Sequence, residues 1–179
     1  MRGMAWRGGA VDDLSVTVDE LGGLAHDPSR LLWVDLLDPS AQDMAILADH
    51  LGLAATTVED VLAAHERPKL VRAADHEFFM TYSVRLDGGE GPERLVASRV
   101  SGLVLPHALV TIRADDSLDL DEVIRRWNDD PTLLSRGTGA LLYGLLDTIV
   151  DGHFDTIQSL DDAIEDLEEI LFQGGRATH

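Results

Sequence analysis

Cysteine is absent from all 179 residues, which excludes disulfides, zinc–thiolate centres and cysteine nucleophiles. Basic residues are scarce: 14 Lys and Arg stand against 33 Asp and Glu, a formal charge of −19 at pH 7. A surface of that sign repels nucleic-acid phosphates and anionic headgroups, so no nucleic-acid partner is expected; it attracts metal cations and basic partners. The same acidity also serves plain solubility. Long hydrophobic runs are missing as well. The best apolar stretches, 100–112 and 141–150, fall short of the roughly 18–20 residues of a spanning helix, and Pro106, His107 and Asp147 interrupt them. Residues 1–10 carry two arginines but no apolar h-region, so no signal peptide is expected. The expectation is a soluble intracellular chain whose link to a membrane, if it has one, lies outside these residues.

Catalytic signatures are absent too. The sequence holds no G-x-S-x-G and no P-loop. Gly137-Thr138-Gly139 with Gly144 lacks a preceding strand and correct spacing for a nucleotide loop, and reads as a helix start. Asp115–Asp119 resembles a calcium loop only at its beginning. Leu120 stands where the glycine is required and Arg126 where the glutamate is, so the segment reads as the acidic entry to a helix. The seven histidines form no H-x-H or H-E-x-x-H pattern. An enzyme is not expected.

What is there begins with strands. Residues 14–18 alternate apolar and polar and predict an edge strand; Leu31–Leu36 is a continuous apolar run and predicts a buried one. Asp38-Pro39 predicts a turn, Ser40 an N-cap, and Met44, Leu47, Ala48 and Leu51 the inner face of a helix that Gly52 stops. A second helix is predicted over 57–65, with Thr56 and Glu59 as a capping box and Pro68 as its end. Strand-like runs follow at 70–73, 78–86, 94–105 and 108–113, the second and third joined by a glycine-rich hairpin loop at 88–92. Residues 119–128 predict an amphipathic helix with Leu120, Val123, Ile124 and Trp127 on one side. The order is α+β or a mixed α/β/α sandwich rather than strict βαβ alternation.

The last segment differs in kind. Residues 138–172 contain no proline, lysine or arginine, and predict one helix of about 35 residues or a tight helical hairpin. Leu142, Leu146, Ile149, Ile157, Leu160, Ile164, Leu167 and Leu171 fall at coiled-coil intervals, interrupted at His153, which suits a packed or interface histidine. Such a stripe needs a partner: the domain, a neighbouring subunit or a further helix. Asp147, Asp151 and Asp155 form a carboxylate ladder on one face, and Asp162 with Asp166 a second pair. Like charges at this spacing cost about 0.2–0.5 kcal/mol per pair, and nothing basic in the segment offsets them. A hard cation would, because magnesium is usually held by one or two carboxylates plus waters; a solvated helix face looks the same. Glu59-Asp60 is the second acidic spot, and a helix start explains it equally well.

Several blocks, taken together and in this order, resemble one family. They are Trp33-Val34-Asp35-Leu36 with Asp38-Pro39, the TTVEDVLAAHERPKL segment at 56–70, LLYGLLDTIVDGHF at 141–154 and LDDAIEDLEEILF at 160–172. The chain is similar, over about 31–172, to the N-terminal cytoplasmic domain of the CorA family of magnesium/cobalt transporters. The resemblance implies an α/β/α sandwich with a central mixed, largely antiparallel sheet at 1–136. A long acidic helix or hairpin at 137–179 would then lead toward a stalk and two membrane segments bearing a Gly-Met-Asn signature, none of which falls in this sequence. It implies a homopentamer on the cytoplasmic face of the plasma (inner) membrane. It also implies regulatory Mg2+, with Co2+ or other divalent cations as alternatives, sensed at subunit interfaces through Glu59, Asp60 and Asp147. Two other readings stay open: a related transporter of zinc or another divalent cation, and a free-standing acidic cation-binding adaptor domain.

Overall fold

The structure is a computed structural model; it describes all residues except 9, 15, 64–66, 88–93 and 175–179. Seven strands, β1 (Arg2–Arg7), β2 (Ala10–Leu14), β3 (Leu31–Leu37), β4 (Lys69–Arg72), β5 (Glu77–Asp87), β6 (Arg94–Val104) and β7 (Ala108–Arg113), form one sheet in the order β2-β1-β3-β7-β6-β5-β4. All adjacent pairs are antiparallel except β3 with β7. The sheet is therefore mixed and largely antiparallel, as expected.

Strand alternation sends side chains to two faces, and each face has its own core. Leu32, Val34 and Leu36 of β3 join Val110 and Ile112 of β7 under α1 (Val18–Ala25), α2 (Ala41–Leu51) and α3 (Ala55–Leu62). Trp33 and Leu109 point the other way, under α4 (Leu120–Asp129) and α6 (Thr138–Gly174). A short helix, α5 (Pro131–Leu134), links those two. Helices on both faces make the expected α/β/α sandwich.

Local signals explain most elements. Ser40 accepts from the Asp43 backbone N–H at 3.1 Å and its hydroxyl donates to the Asp43 carboxylate, a closed capping box. Gly52 ends α2 at φ 63°, a left-handed position that costs glycine nothing. Asp119 caps α4, accepting from the backbone N–H groups of Asp121 and Glu122, so the acidic 115–119 segment is the helix entry the spacing predicts.

Several expectations need correction. The strand expected at 14–18 is β2, ending at Leu14; a capping box between Thr17 and Glu20 starts α1 at Val18 instead. β1 has no counterpart among the predicted strands; it forms a hairpin with β2 and pairs with β3. The capping box at Thr56 does not form: α3 starts at Ala55 with Ala54 as an N-cap that makes no side-chain bond. Burial of Thr57 and Val61 sets the phase of this helix, which leaves Glu59 mid-helix. It ends at Leu62, well before Pro68; the expected end at 65 and the hairpin loop at 88–92 lie outside the described residues.

The last segment is one helix of 37 residues, not a hairpin. Its first half seats on the sheet through Leu141, Leu145 and Ile149, one step from the predicted Leu142–Leu146 seam. Gly144 decides this phase: a Cβ there would stand 2.6 Å from Trp127 Nε1. Trp127 in turn donates to the Leu141 carbonyl at 3.0 Å. Gly144→Ala is expected to cost about 1–3 kcal/mol by overpacking, measured as a lower urea midpoint with an unchanged m-value. The second half of α6 carries its apolar residues in the open: Ile157, Ile164, Leu167 and Leu171 are each more than half exposed.

Candidate functional site

The two acidic spots sit on opposite sides of the sheet. α3 carries Glu59 and Asp60 in the layer where Val61 joins one core, and α6 carries Asp147 in the layer where Leu145 and Ile149 join the other. One chain therefore does not bring Asp60 and Asp147 together.

On the first side, Glu59 is exposed, and its side chain makes no ion pair or hydrogen bond among the described residues. Asp60 is half-buried and pairs with Lys69 Nζ of β4 at 2.7 Å. Arg99 of β6 donates through Nη1 to the Ala63 carbonyl just past the end of α3, tying this helix to the sheet. With the predicted cap gone, no helix-start role accounts for Glu59.

On the second side, the carboxylate ladder meets a cation that the α6 segment itself lacks. Arg126 of α4 donates through Nη1 to Asp147 and through Nη2 to Asp151, both at 2.5 Å, and through Nε to Glu122 at 3.0 Å. The hydrogen bond to Asp151 is the main cause that raises the Arg126 pKa above its ordinary value; partial burial opposes it, and the charge of Asp151 and then the hydrogen bond and charge of Asp147 add to the rise. The like-charge cost read from the segment alone is thus offset from a neighbouring helix. Asp155 lies exposed one turn further on and helps line a crevice of about 530 Å³ between α4, α6 and β5, together with Ser83, Arg126 and Asp151. His153 is half-buried, and its Nε2–H donates to the Tyr82 carbonyl at 2.9 Å, a packed histidine seating α6 on β5. Asp162 and Asp166 stand on the exposed half of the helix.

A third cluster escaped the reading of the sequence. Asp35, inside β3, and Arg113, the last residue of the parallel strand β7, are 2% and 4% exposed. Arg113 donates to both Asp35 oxygens, from Nε at 3.0 Å and Nη2 at 2.9 Å, and from Nη1 to Asp116 at 3.0 Å. Thr111 Oγ1 donates to Asp35 at 2.7 Å and accepts from Trp33 Nε1 at 3.1 Å. Burial alone would pull the Arg113 guanidinium down; Asp35 and then Asp116 more than reverse this and hold its pKa above the ordinary value. Asp35 interrupts one largely apolar run and Arg113 closes another, the signal that could have found the pair. Each polar side-chain atom of Asp35, Thr111 and Arg113 has a partner, so the cluster reads as structural, beside an open crevice of about 490 Å³.

Among the described residues no group of three or more histidines or carboxylates is arranged to hold a metal ion, and no helix is long and apolar enough to cross a membrane. The oxygen chemistry of Glu59, Asp60 and Asp147 suits a hydrated hard cation, yet two of the three already carry a basic side chain. The comparison with known proteins decides the family. Residues 28–179 match the model of the CorA-like Mg2+ transporter proteins.

The chain belongs to the CorA-like family.

Among CorA-like relatives, the cobalt/magnesium transport protein CorA of Methanocaldococcus jannaschii is 23% identical over 165 residues, 90% of this chain and 50% of that protein. The chain thus spans about half the length of this relative. The soluble domain of the same organism's CorA superposes with TM-score 0.67 at 18% identity, over 96% of this chain and 64% of that one. The cytoplasmic domain of ZntB from Vibrio parahaemolyticus superposes with TM-score 0.63, also at 18% identity, over 93% of this chain and 62% of that one. At these identities the superpositions establish the CorA-like fold, and both neighbours share it.

Proposed function

We propose that this chain is the cytosolic regulatory domain of a divalent-cation transporter, and that it senses Mg2+ through carboxylates which become a complete site only between copies. The family match over 28–179 carries the transport reading. The separation of Asp60 and Asp147 onto opposite layers supports the interface reading, because a cation joining these two positions needs a second chain. Glu59 supports it as well, being an exposed carboxylate with no structural task among the described residues. The open apolar stripe of Ile157, Ile164 and Leu171 supports an assembly that covers it, with a further helix or a subunit as the cover.

The gating logic is electrostatic. Copies of a chain with charge −19 repel one another when gathered in a pentameric ring. Cations bridging Asp60 or Asp147 to a neighbour favour the compact, closed ring; depletion frees the carboxylates and lets the subunits splay. The ion shifts this equilibrium only by its differential affinity for the two states. Cobalt or zinc as the transported ion fits the same domain, since the CorA and ZntB domains share this fold. Two apolar runs of about 20 residues encoded downstream of His179, past a stalk helix, are expected on this reading; a stop codon soon after His179 would support a free-standing cation-binding adaptor instead. In the membrane-embedded protein, magnesium is expected to slow proteolysis of the cytosolic part, and Asp60→Asn with Asp147→Asn to remove most of that protection. Equal protection in the double variant would overturn the site assignment.

A further inference from the structure

The geometry points to Arg99 as a positioning residue of the proposed sensor: from β6 it holds the turn of α3 that carries Glu59 and Asp60 by a main-chain carbonyl, and so sets where both carboxylates stand without engaging either. This rests on the reading of Glu59 and Asp60 as cation-binding groups shared between copies.

α3 needs a hold from outside itself. It has eight residues, of which Thr57 and Val61 are buried, and Ala54 gives it no side-chain cap. A helix this short is marginal on its own. Its last carbonyls have no partners within the helix and carry the negative end of its dipole. Arg99 meets that end with a positive charge. Its Nη1 donates to the carbonyl of Ala63, the C-cap, whose own N–H donates to the Glu59 carbonyl. The contact therefore lands one turn from Glu59 and Asp60. The sheet fixes Arg99 in turn: its backbone stands opposite Tyr82 in the β5–β6 ladder, and its carbonyl accepts from the Ala114 N–H.

Two observations set this hold apart from ordinary packing. Lys69 gives α3 a second polar link to the sheet, at 2.7 Å, but through Asp60. That link uses the very carboxylate that the reading assigns to a cation, and it is given up whenever Asp60 turns to a neighbour. The link at Ala63 is indifferent to what Asp60 binds. The second observation is an unserved donor. Arg99 is half-buried, and its Nε–H is buried with no partner among the described residues. Buried guanidinium donors are ordinarily paired. This one is aimed at a single carbonyl at the expense of another hydrogen bond, so its placement serves the position of α3 before its own satisfaction.

The test is the magnesium concentration that half-protects the cytosolic part of the membrane-embedded protein from proteolysis, at constant ionic strength. It compares the parent, Arg99→Met, Arg99→Lys and Met4→Ala. Met4 is a buried residue of β1, three strands from β6 and in the core of the opposite face, so Met4→Ala destabilises by a cavity remote from α3. Arg99→Met is expected to raise the half-protecting concentration about fivefold, within ordinary coupling. Arg99→Lys, which keeps a cationic donor for the carbonyl, and Met4→Ala, which acts at a distant site, should both stay within about twofold of the parent. Arg99→Gln replaces Arg99→Met if the latter does not melt cooperatively. Amide exchange gives a second readout: in Arg99→Met the α3 amides should exchange faster while those of α2 keep their protection. An unchanged concentration in Arg99→Met, or equal shifts in Arg99→Met and Met4→Ala, would overturn the positioning role. If Asp60→Asn with Asp147→Asn loses protection while Arg99→Met keeps that of the parent, the positioning role falls and the carboxylate reading stands. If that double variant is protected like the parent, the carboxylate reading falls and takes the positioning role with it.

Discussion

Replacing Arg113 by methionine is expected to cost about 3–5 kcal/mol of stability, because it leaves the Asp35 carboxylate buried without its counter-charge. Asp35 is 2% exposed and takes three hydrogen bonds from Arg113. Only Thr111 would remain to serve it. Folding in the variant must either keep a bare charge out of water or protonate Asp35, and both are unfavourable at neutral pH. Urea unfolding at pH 7 measures the loss. Adding Asp35→Leu to Arg113→Met should recover most of it, since two apolar side chains in place of a buried pair are often neutral or better. Equal instability of the single and double variants would mean that packing, not charge, explains the effect.

Trp127→Ala is expected to have a similar cost, about 3–5 kcal/mol, by emptying a large buried volume. Trp127 is 1% exposed and stands edge-on to Trp6 and Trp33, at 5.8 and 5.0 Å between ring centroids. It also covers Gly144 and donates to the Leu141 carbonyl, so it fixes the height at which α6 rides on the sheet. Amide exchange should therefore quicken most in the first half of α6, around 140–150, before the other helices. Asp147 and Asp151 would lose their alignment with Arg126 as α6 loosens.

These two sites show what could be read from the sequence alone. The apolar runs of β3 and β5 to β7, the Ser40-capped helix and the Trp127 helix follow from periodicity and capping, and each lies within a few residues of the expectation. The first strands do not. β1 is short and bounded by Arg2 and Arg7, and its pairing with β3 is a long-range fact that no local pattern carries. α1 holds Gly22 and Gly23, which argue against a helix; Gly22 is there because α2 packs so close that a Cβ would stand 2.9 Å from the His50 Cβ. At the candidate site the carboxylates could be named from spacing and family resemblance. Their partners could not. Lys69 of β4 reaches back to Asp60 of α3, and Arg126 reaches Asp147 and Asp151 from another helix, 21 and 25 residues away. The acidic helix looks uncompensated until it is folded.

The central claim is that carboxylates on this sandwich bind a hard divalent cation and thereby join one copy to the next. Sedimentation and thermal melting of the protein, followed through a magnesium titration at constant ionic strength, test it most directly. The account predicts a larger, more compact species and a melting temperature that climbs with magnesium as a ligand of the assembled state requires, both lost in Asp60→Asn with Asp147→Asn. A size and melting temperature indifferent to magnesium, or a double variant that responds like its parent, would contradict it.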